Sequence, residues 1–179
     1  MCFIEVSCMD SLELLLSRRS IRRYKQVPVE KQTMLTLIRA GMAAPSAFNQ
    51  QPWEFVIIQD KTLLGKVATL HPYTSMAKYA AGFIVVCAAP KKDKRSLDMW
   101  PQDCAATTEN VLLAAHSLNL GAVWIGIYPN EEYMDVFRNI CGIPKDIIPF
   151  SGVCFGVADV KKSASDRFDE SRIHWDSWE

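Results

Sequence analysis

The sequence lacks most of the features that announce a particular biochemistry. No Cys-x-x-Cys pair occurs among its six cysteines (Cys2, Cys8, Cys87, Cys104, Cys141, Cys154), and no histidine stands at metal-ligand spacing from them. A disulfide framework and a zinc site are both disfavoured, and the thiols are expected to be reduced and several of them buried. There is no Gly-x-Gly-x-x-Gly turn, so a separate dinucleotide-binding unit is not expected. Excess charge is missing too: 20 basic and 20 acidic side chains cancel, which leaves no large field to attract nucleic acid. No segment approaches the ~20 apolar residues of a membrane-spanning helix, and Met1 to Asp10 has no basic stretch leading into a long apolar one. A cytoplasmic protein with no membrane or nucleic-acid partner is the resulting expectation.

What is present is enough for one compact domain over residues 1–179, since 49% of the side chains are hydrophobic and no repeat or linker interrupts the chain. Asp10 followed by Glu13 predicts a capping box opening a helix through Leu16, with the basic run Arg18 to Lys25 closing it. A second helix is expected over Val29 to Ala44 with Met34, Leu35, Ile38 and Met42 on one face, stopped by Pro45. Trp53 to Gln59 and Gly82 to Ala89 show no alternation and are expected to be central strands covered on both faces. Lys61 to Leu70 reads as a short helix between them, and Lys91 to Arg95 as a solvated loop.

Asp103 to Leu118 reads as a long buried helix ending at Asn119 and Gly121, and Ala122 to Ile127 as a third strand. Asn130 caps a further helix that Gly142 and Pro144 end, and Phe150 to Val157 makes a fourth strand. Beyond Asp159 the chain is polar yet holds Trp175 and Trp178. A tail with two tryptophans needs a surface to cover, and residues 159–179 are expected to pack on another subunit. Residues 1–9 form a lead-in.

Two segments carry the chemistry. Arg18-Arg19-Ser20-Ile21-Arg22-Arg23-Tyr24 offers planar guanidinium forks beside a hydroxyl, a set that can hold a phosphate monoester or can simply be a solvated basic helix end. The loop Pro45-Ser46-Ala47-Phe48-Asn49-Gln50-Gln51-Pro52 is rich in amides that can read the edge of a heterocycle, or serve only as a tight helix-to-strand connection. No acid, base and nucleophile stand together. Asp103 and Glu109 share a helix without paired geometry, His116 lies in an Ala-rich helix as a satisfied core histidine, and His71 beside Pro72 fits a turn as well as a ring contact.

In this order the two segments resemble the FMN-dependent nitroreductase family. The likeness extends through Leu118-Asn119-Leu120-Gly121-Ala122-Val123-Trp124-Ile125-Gly126, Phe155-Gly156-Val157-Ala158 and the ending Asp166 to Trp175. It implies an α+β fold with a central, mostly antiparallel or mixed sheet flanked by helices, and an intertwined homodimer that exchanges C-terminal tails. By the same resemblance Arg18, Arg19 and Ser20 would hold the FMN phosphate and ribityl end, with Arg167 closing that site from the tail, and Arg22 would sit near flavin N1. Pro45, Ser46, Ala47 and Asn49 would come from the partner subunit, and the backbone of Ile125 and Gly126 would approach the ring. Ala47 stands where many relatives carry Ser, which removes one hydroxyl contact.

The implied activity is transfer of electrons from NADH or NADPH to nitroaromatic, quinone or similar conjugated acceptors, by a ping-pong scheme in which the cofactor carries the redox chemistry. Little sequence separates Ala89 from Asp103, so the pocket is expected to be fairly open. Three other readings stay open: a flavin-storage protein with little turnover, a specialised reductive flavoenzyme of the same fold, and a structural domain whose basic run and Trp-rich tail serve dimerisation alone.

Overall fold

The computed structural model describes residues 10–70, 72–90 and 98–178. His71, the Lys91 to Arg95 stretch, Cys2 and Cys8 lie outside them. The elements run α1 (Ser11–Ser17), α2 (Lys31–Met42), β1 (Trp53–Ile58), α3 (Lys61–Thr69), β2 (Gly82–Ala88), α4 (Trp100–Ser117), β3 (Leu120–Gly126), α5 (Glu131–Cys141) and β4 (Ile148–Val157). A 3-10 stretch over Pro72–Tyr79 connects α3 to β2. Among the described residues no helix is long and apolar enough to cross a membrane.

The four strands form one sheet in the order β1-β2-β4-β3, with every pair antiparallel. All seven residues of β2 are buried, as expected for a strand with neighbours on both sides and helices on both faces. β1 departs from expectation, because it is an edge strand and not a central one. Its unalternating pattern has a different cause. Val56 and Ile58 pack into the layer beneath α3 and α5, while Phe55 and Ile57 pack into the layer beneath α2 and α4. Cover on both faces removes alternation whether or not a strand has neighbours on both sides.

Helix α2 also turns a different face inward. Its buried residues are Met34, Leu37, Ile38 and Gly41, whereas Leu35 and Met42 are exposed. Gly41 decides the choice: a Cβ there would meet the Val111 side chain at 2.9 Å, so α2 and α4 approach closely only where a hydrogen replaces a side chain. Thr107 Oγ1 donates to the Gly41 carbonyl at 3.2 Å and Asn110 Nδ2 to that of Ala40 at 3.1 Å, which satisfies two carbonyls at the end of α2.

The capping box at α1 does not form, since the Asp10 side chain makes no capping hydrogen bond, and α1 has no buried residue. Leu12, Leu15 and Leu16 are 59%, 56% and 63% exposed, an apolar face that no other described residue buries. Elsewhere the caps follow the sequence. Asn130 Oδ1 accepts the Tyr133 amide at 3.0 Å, and Gly142 ends α5 in the left-handed region at φ 65°.

The sheet's centre depends on one glycine. A Cβ at Gly152 of β4 would lie 2.1 Å from the ring of Phe83, which is fully buried and stacks on Phe137 at 5.6 Å. Gly152→Ala is expected to destabilise the fold by about 1–3 kcal/mol or more, because the ring has no free volume to move into. Denaturant unfolding with an unchanged midpoint would contradict this packing.

Candidate active site

Two cavities lie at the outer edge of β3, and the basic run connects them. Ser20 bridges Ala122 in parallel, and the Ile21 amide donates to the Ala122 carbonyl at 2.9 Å. The run then crosses to the end of β4, where the Lys25 amide donates to Val157 and the Asp159 amide to Arg23. Tyr24 fixes the crossing: it is buried, and its hydroxyl faces the carbonyls of Ile21 at 2.7 Å and Cys154 at 3.0 Å. Burial drives that phenol well above its usual value, so it stays protonated and donating.

The first cavity, of about 640 Å³, opens between α1, the end of α4 and the start of the tail, with Arg18, Arg19, Lys25, Lys161 and Lys162 among its lining residues. Arg18 is oriented by Glu109, its Nε lying 3.1 Å from Oε1. Arg19 lines the same cavity. Its guanidinium donates to the carbonyls of Leu16 and Arg18 and, at 3.2 and 3.1 Å, to those of Ser163 and Ser165, which fastens the tail to the helix end. Lys162 Nζ reinforces this by donating to the Ser20 carbonyl at 3.0 Å.

His116 closes the wall of this cavity, its Nε2 lying 2.8 Å from Ser17 Oγ. Partial burial lowers its pKa, and the cations of Arg18 and Arg19 lower it further. A histidine held neutral in the fold contributes stability at pH above its unfolded value, and that contribution is lost as the solution is acidified. Thermal stability is therefore expected to fall as pH drops below about 6.5, and less so in His116→Gln. Identical pH profiles for the two proteins would contradict the assignment.

The second cavity, of about 400 Å³, is lined by Arg22, Tyr73, Trp124, Ile125, Gly126 and Tyr133, with Leu70, Thr74 and Phe137 behind them. Strand register shows which backbone groups reach it. The Ile127 amide donates inward to Phe150 of β4, while the Ala122 carbonyl faces outward to Ile21. Residues two apart share an orientation, so the backbones of Trp124 and Gly126 face outward from the sheet edge and that of Ile125 faces β4. A Cβ built on Gly126 meets no atom within 4 Å, so a flat group has room to approach that amide.

The structure thus brings Arg22, Ile125 and Gly126 to one cavity and Arg18 and Arg19 to the other, with Ser20 between them. Arg167 is exposed and lines neither. Pro45, Ser46, Ala47 and Asn49 also line neither. Their loop packs at the start of α4, where the Ala47 amide donates to Asp103 Oδ1 at 2.9 Å, whereas Glu109 meets Arg18 and His116 meets Ser17 roughly 9 and 20 Å further along the helix.

Asp103 is the residue that sequence reasoning passed over. It is buried, and it holds a loop in which Phe48, Asn49 and Gln51 all have positive φ, near 50°. Three non-glycine residues in that region within four positions represent strain that persists only when held, here from outside by Asp103 and within the loop by Ser46 Oγ accepting the Gln51 amide at 3.0 Å. An aspartate in the first turn of an amphipathic helix gave no sign of this.

The described cysteines are free thiols, and burial pushes Cys87, Cys104 and Cys154 up to about 12, so they are inert at neutral pH. No group of three or more His, Cys, Asp or Glu side chains among the described residues could hold a metal.

An α+β chain built on this antiparallel sheet shares its fold with solved nitroreductases. Residues 15–81 and 69–157 match the model of the Nitroreductase family, and the chain belongs to that family. A protein of Archaeoglobus fulgidus provisionally named NADH dehydrogenase/NAD(P)H nitroreductase is 42% identical over 172 residues, covering 94% of this chain and 99% of that one. An FMN-dependent nitroreductase from Clostridium difficile superposes with a TM-score of 0.85 at 27% identity, over 93% of this chain and 99% of the other. A provisionally named nitroreductase from Desulfovibrio desulfuricans, solved with FMN, gives 0.74 at 28% identity over 87% and 90% of the two chains.

Proposed function

We propose that this protein is an FMN-dependent oxidoreductase that takes electrons from NADH or NADPH and passes them to flat conjugated acceptors such as quinones and nitroaromatics, donor and acceptor occupying one site in turn. The observation that carries this reading is the alignment along β3. Arg18, Lys161 and Lys162 line the cavity at Ala122, while Arg22 lines the cavity at Gly126, whose backbone amide faces outward with open space above it. Four residues of strand span about 13 Å, a length suited to a phosphate at one end and a ring system at the other.

The residues present fit that group. Arg18, with Lys161 and Lys162 around the same cavity, would hold the phosphate by charge-assisted hydrogen bonds. The Gly126 amide faces the space where a ring edge would lie. Arg22 lines the ring cavity, where its charge would stabilise negative charge developing on a bound ring. When bound, FMN supplies the hydride and electron chemistry. The chain supplies orientation through the β3 edge, electrostatics through Arg22, and exclusion of water through Trp124, Tyr73 and Tyr133.

The single chain leaves this site incomplete. The strained Pro45–Pro52 loop, the outward leucines of α1 and the exposed tail would be covered in a homodimer, which would set Pro45, Ser46, Ala47 and Asn49 of one subunit over the ring held by the other. Among the described residues no acid, base and nucleophile stand together, in keeping with a reaction in which the cofactor carries the chemistry.

The deciding experiment is an absorbance spectrum of the purified protein followed by anaerobic NADH and then NADPH. Flavin bands that bleach, with continued oxidation of the donor once menadione is added, are expected. Bound FMN that neither donor reduces would point to flavin storage, and a colourless protein that FMN cannot reconstitute would reduce the basic run to a structural role.

A further inference from the structure

A third cleft, of about 350 Å³, shares Arg22 with the ring cavity and continues away from it between the basic run and the 3-10 stretch Pro72–Tyr79. Its charged lining residues are Arg22, Arg23, Lys78 and Asp159, three cations against one carboxylate in a chain whose overall charge is zero. These cations are not spent on the fold. Arg23 Nη2 lies 3.5 Å from Asp159 Oδ2, with the two side chains 73% and 45% exposed, a long pairing that solvent screens. Lys78 Nζ sits 4.9 Å above the Tyr79 ring and makes no ion pair to a described residue. Arg18, by contrast, is shorter-paired and less exposed, and Arg19 is consumed by carbonyls.

The backbone beneath is fixed. Tyr24 is buried between the two layers, and the Arg23 carbonyl accepts the Asp159 amide at 3.0 Å, so Arg22 and Arg23 are presented from a rigid crossing. Ser75 and Tyr79 also line the cleft, from the same 3-10 stretch that carries Lys78. A cluster of cations on a fixed backbone, in a cleft that shares Arg22 with the ring cavity, has the chemistry of a site for phosphate groups attached to a planar ligand.

We propose that this cleft receives the phosphate groups of the reduced nicotinamide dinucleotide while its nicotinamide stacks over the flavin ring held at the ring cavity, and that the protein uses NADPH in preference to NADH because NADPH brings one more phosphate to these cations. The proposal rests on the flavin reading above and concerns binding alone, adding no chemical step.

The test uses the FMN-loaded full chain with menadione as acceptor, comparing wild type with Arg23→Gln/Lys78→Gln. In the wild type the KM for NADPH is lower than that for NADH and rises steeply with salt, as phosphate contacts to exposed cations require. In the double variant the KM for NADPH rises about tenfold or more, that for NADH rises less, and kcat and the flavin spectrum stay as they were. Unchanged KM values for both donors with flavin retained would overturn the proposal, as would a wild-type KM for NADPH insensitive to salt, which requires no variant to fold. Loss of flavin from the double variant would also overturn it, by giving the cleft to FMN itself. Failure of the flavin reading is seen separately, as a wild type that holds no FMN.

Discussion

Replacing Arg18 and Arg167 together with alanine is expected to yield a folded protein that purifies without FMN. Charge-assisted hydrogen bonds to a phosphate contribute roughly 1.5–3 kcal/mol each, so losing two weakens binding on the order of 10²- to 10⁴-fold. The Arg18 change acts twice. It removes a donor from the cavity and releases the Glu109 carboxylate 3.1 Å away, placing an unpaired negative charge where the phosphate would sit. Neither residue belongs to the buried core, so circular dichroism and the unfolding midpoint should change little. Fluorescence titration of the apoprotein with FMN reads the result. Wild-type affinity in the double variant would remove the phosphate assignment. A silent Arg167→Ala beside an effective Arg18→Ala would show that the tail arginine closes nothing, in keeping with its exposed place in the single chain.

Local signals made much of this fold legible. Asn130 and Gly142 bracket α5 because capping chemistry is decided within a few residues, and Asn119, at φ 58°, ends α4 for the same reason. Failures came where distant segments decide. Gly41 turned α2 onto Leu37 and away from Leu35, a choice made by Val111 about seventy positions later. β1 read as central because the layers on its two faces imitate strand neighbours on its two sides. The part played by Asp103 was invisible, since a carboxylate that fixes a strained loop resembles any acidic residue in a first helical turn. The hold of Arg19 on four backbone carbonyls was likewise illegible, because two of them, of Ser163 and Ser165, lie 144 and 146 positions away. The grouping of Arg22 with Gly126 was legible only through the family resemblance, because no spacing rule joins positions a hundred residues apart.

Truncation after Asp159 is expected to produce monomers or aggregates. Residues 161–178 are all exposed in the single chain, with Phe168, Trp175 and Trp178 at 74%, 81% and 84%, and the hydrogen bonds that tie the segment to the body come from Arg19 and Lys162 near its start. His174 stacks on Trp178 at 4.3 Å, so the end of the tail has local shape without a surface beneath it. Burying each tryptophan against a second subunit stabilises an assembly on the order of 4 kcal/mol, enough for two to decide association at micromolar concentration. The surface to be covered is at hand in the leucines of α1 and in Leu35 and Met42 of α2, which this chain leaves in solvent. Full-length Trp175→Ser/Trp178→Ser separates the two contributions of the tail, since it keeps Lys161, Lys162 and Arg167 while removing the apolar anchors. Loss of the dimer in both proteins, read by light scattering, assigns association to the tryptophans. A stable dimer in the truncated protein would mean that α1 and α2 suffice, and that the tail serves the cationic cavity instead.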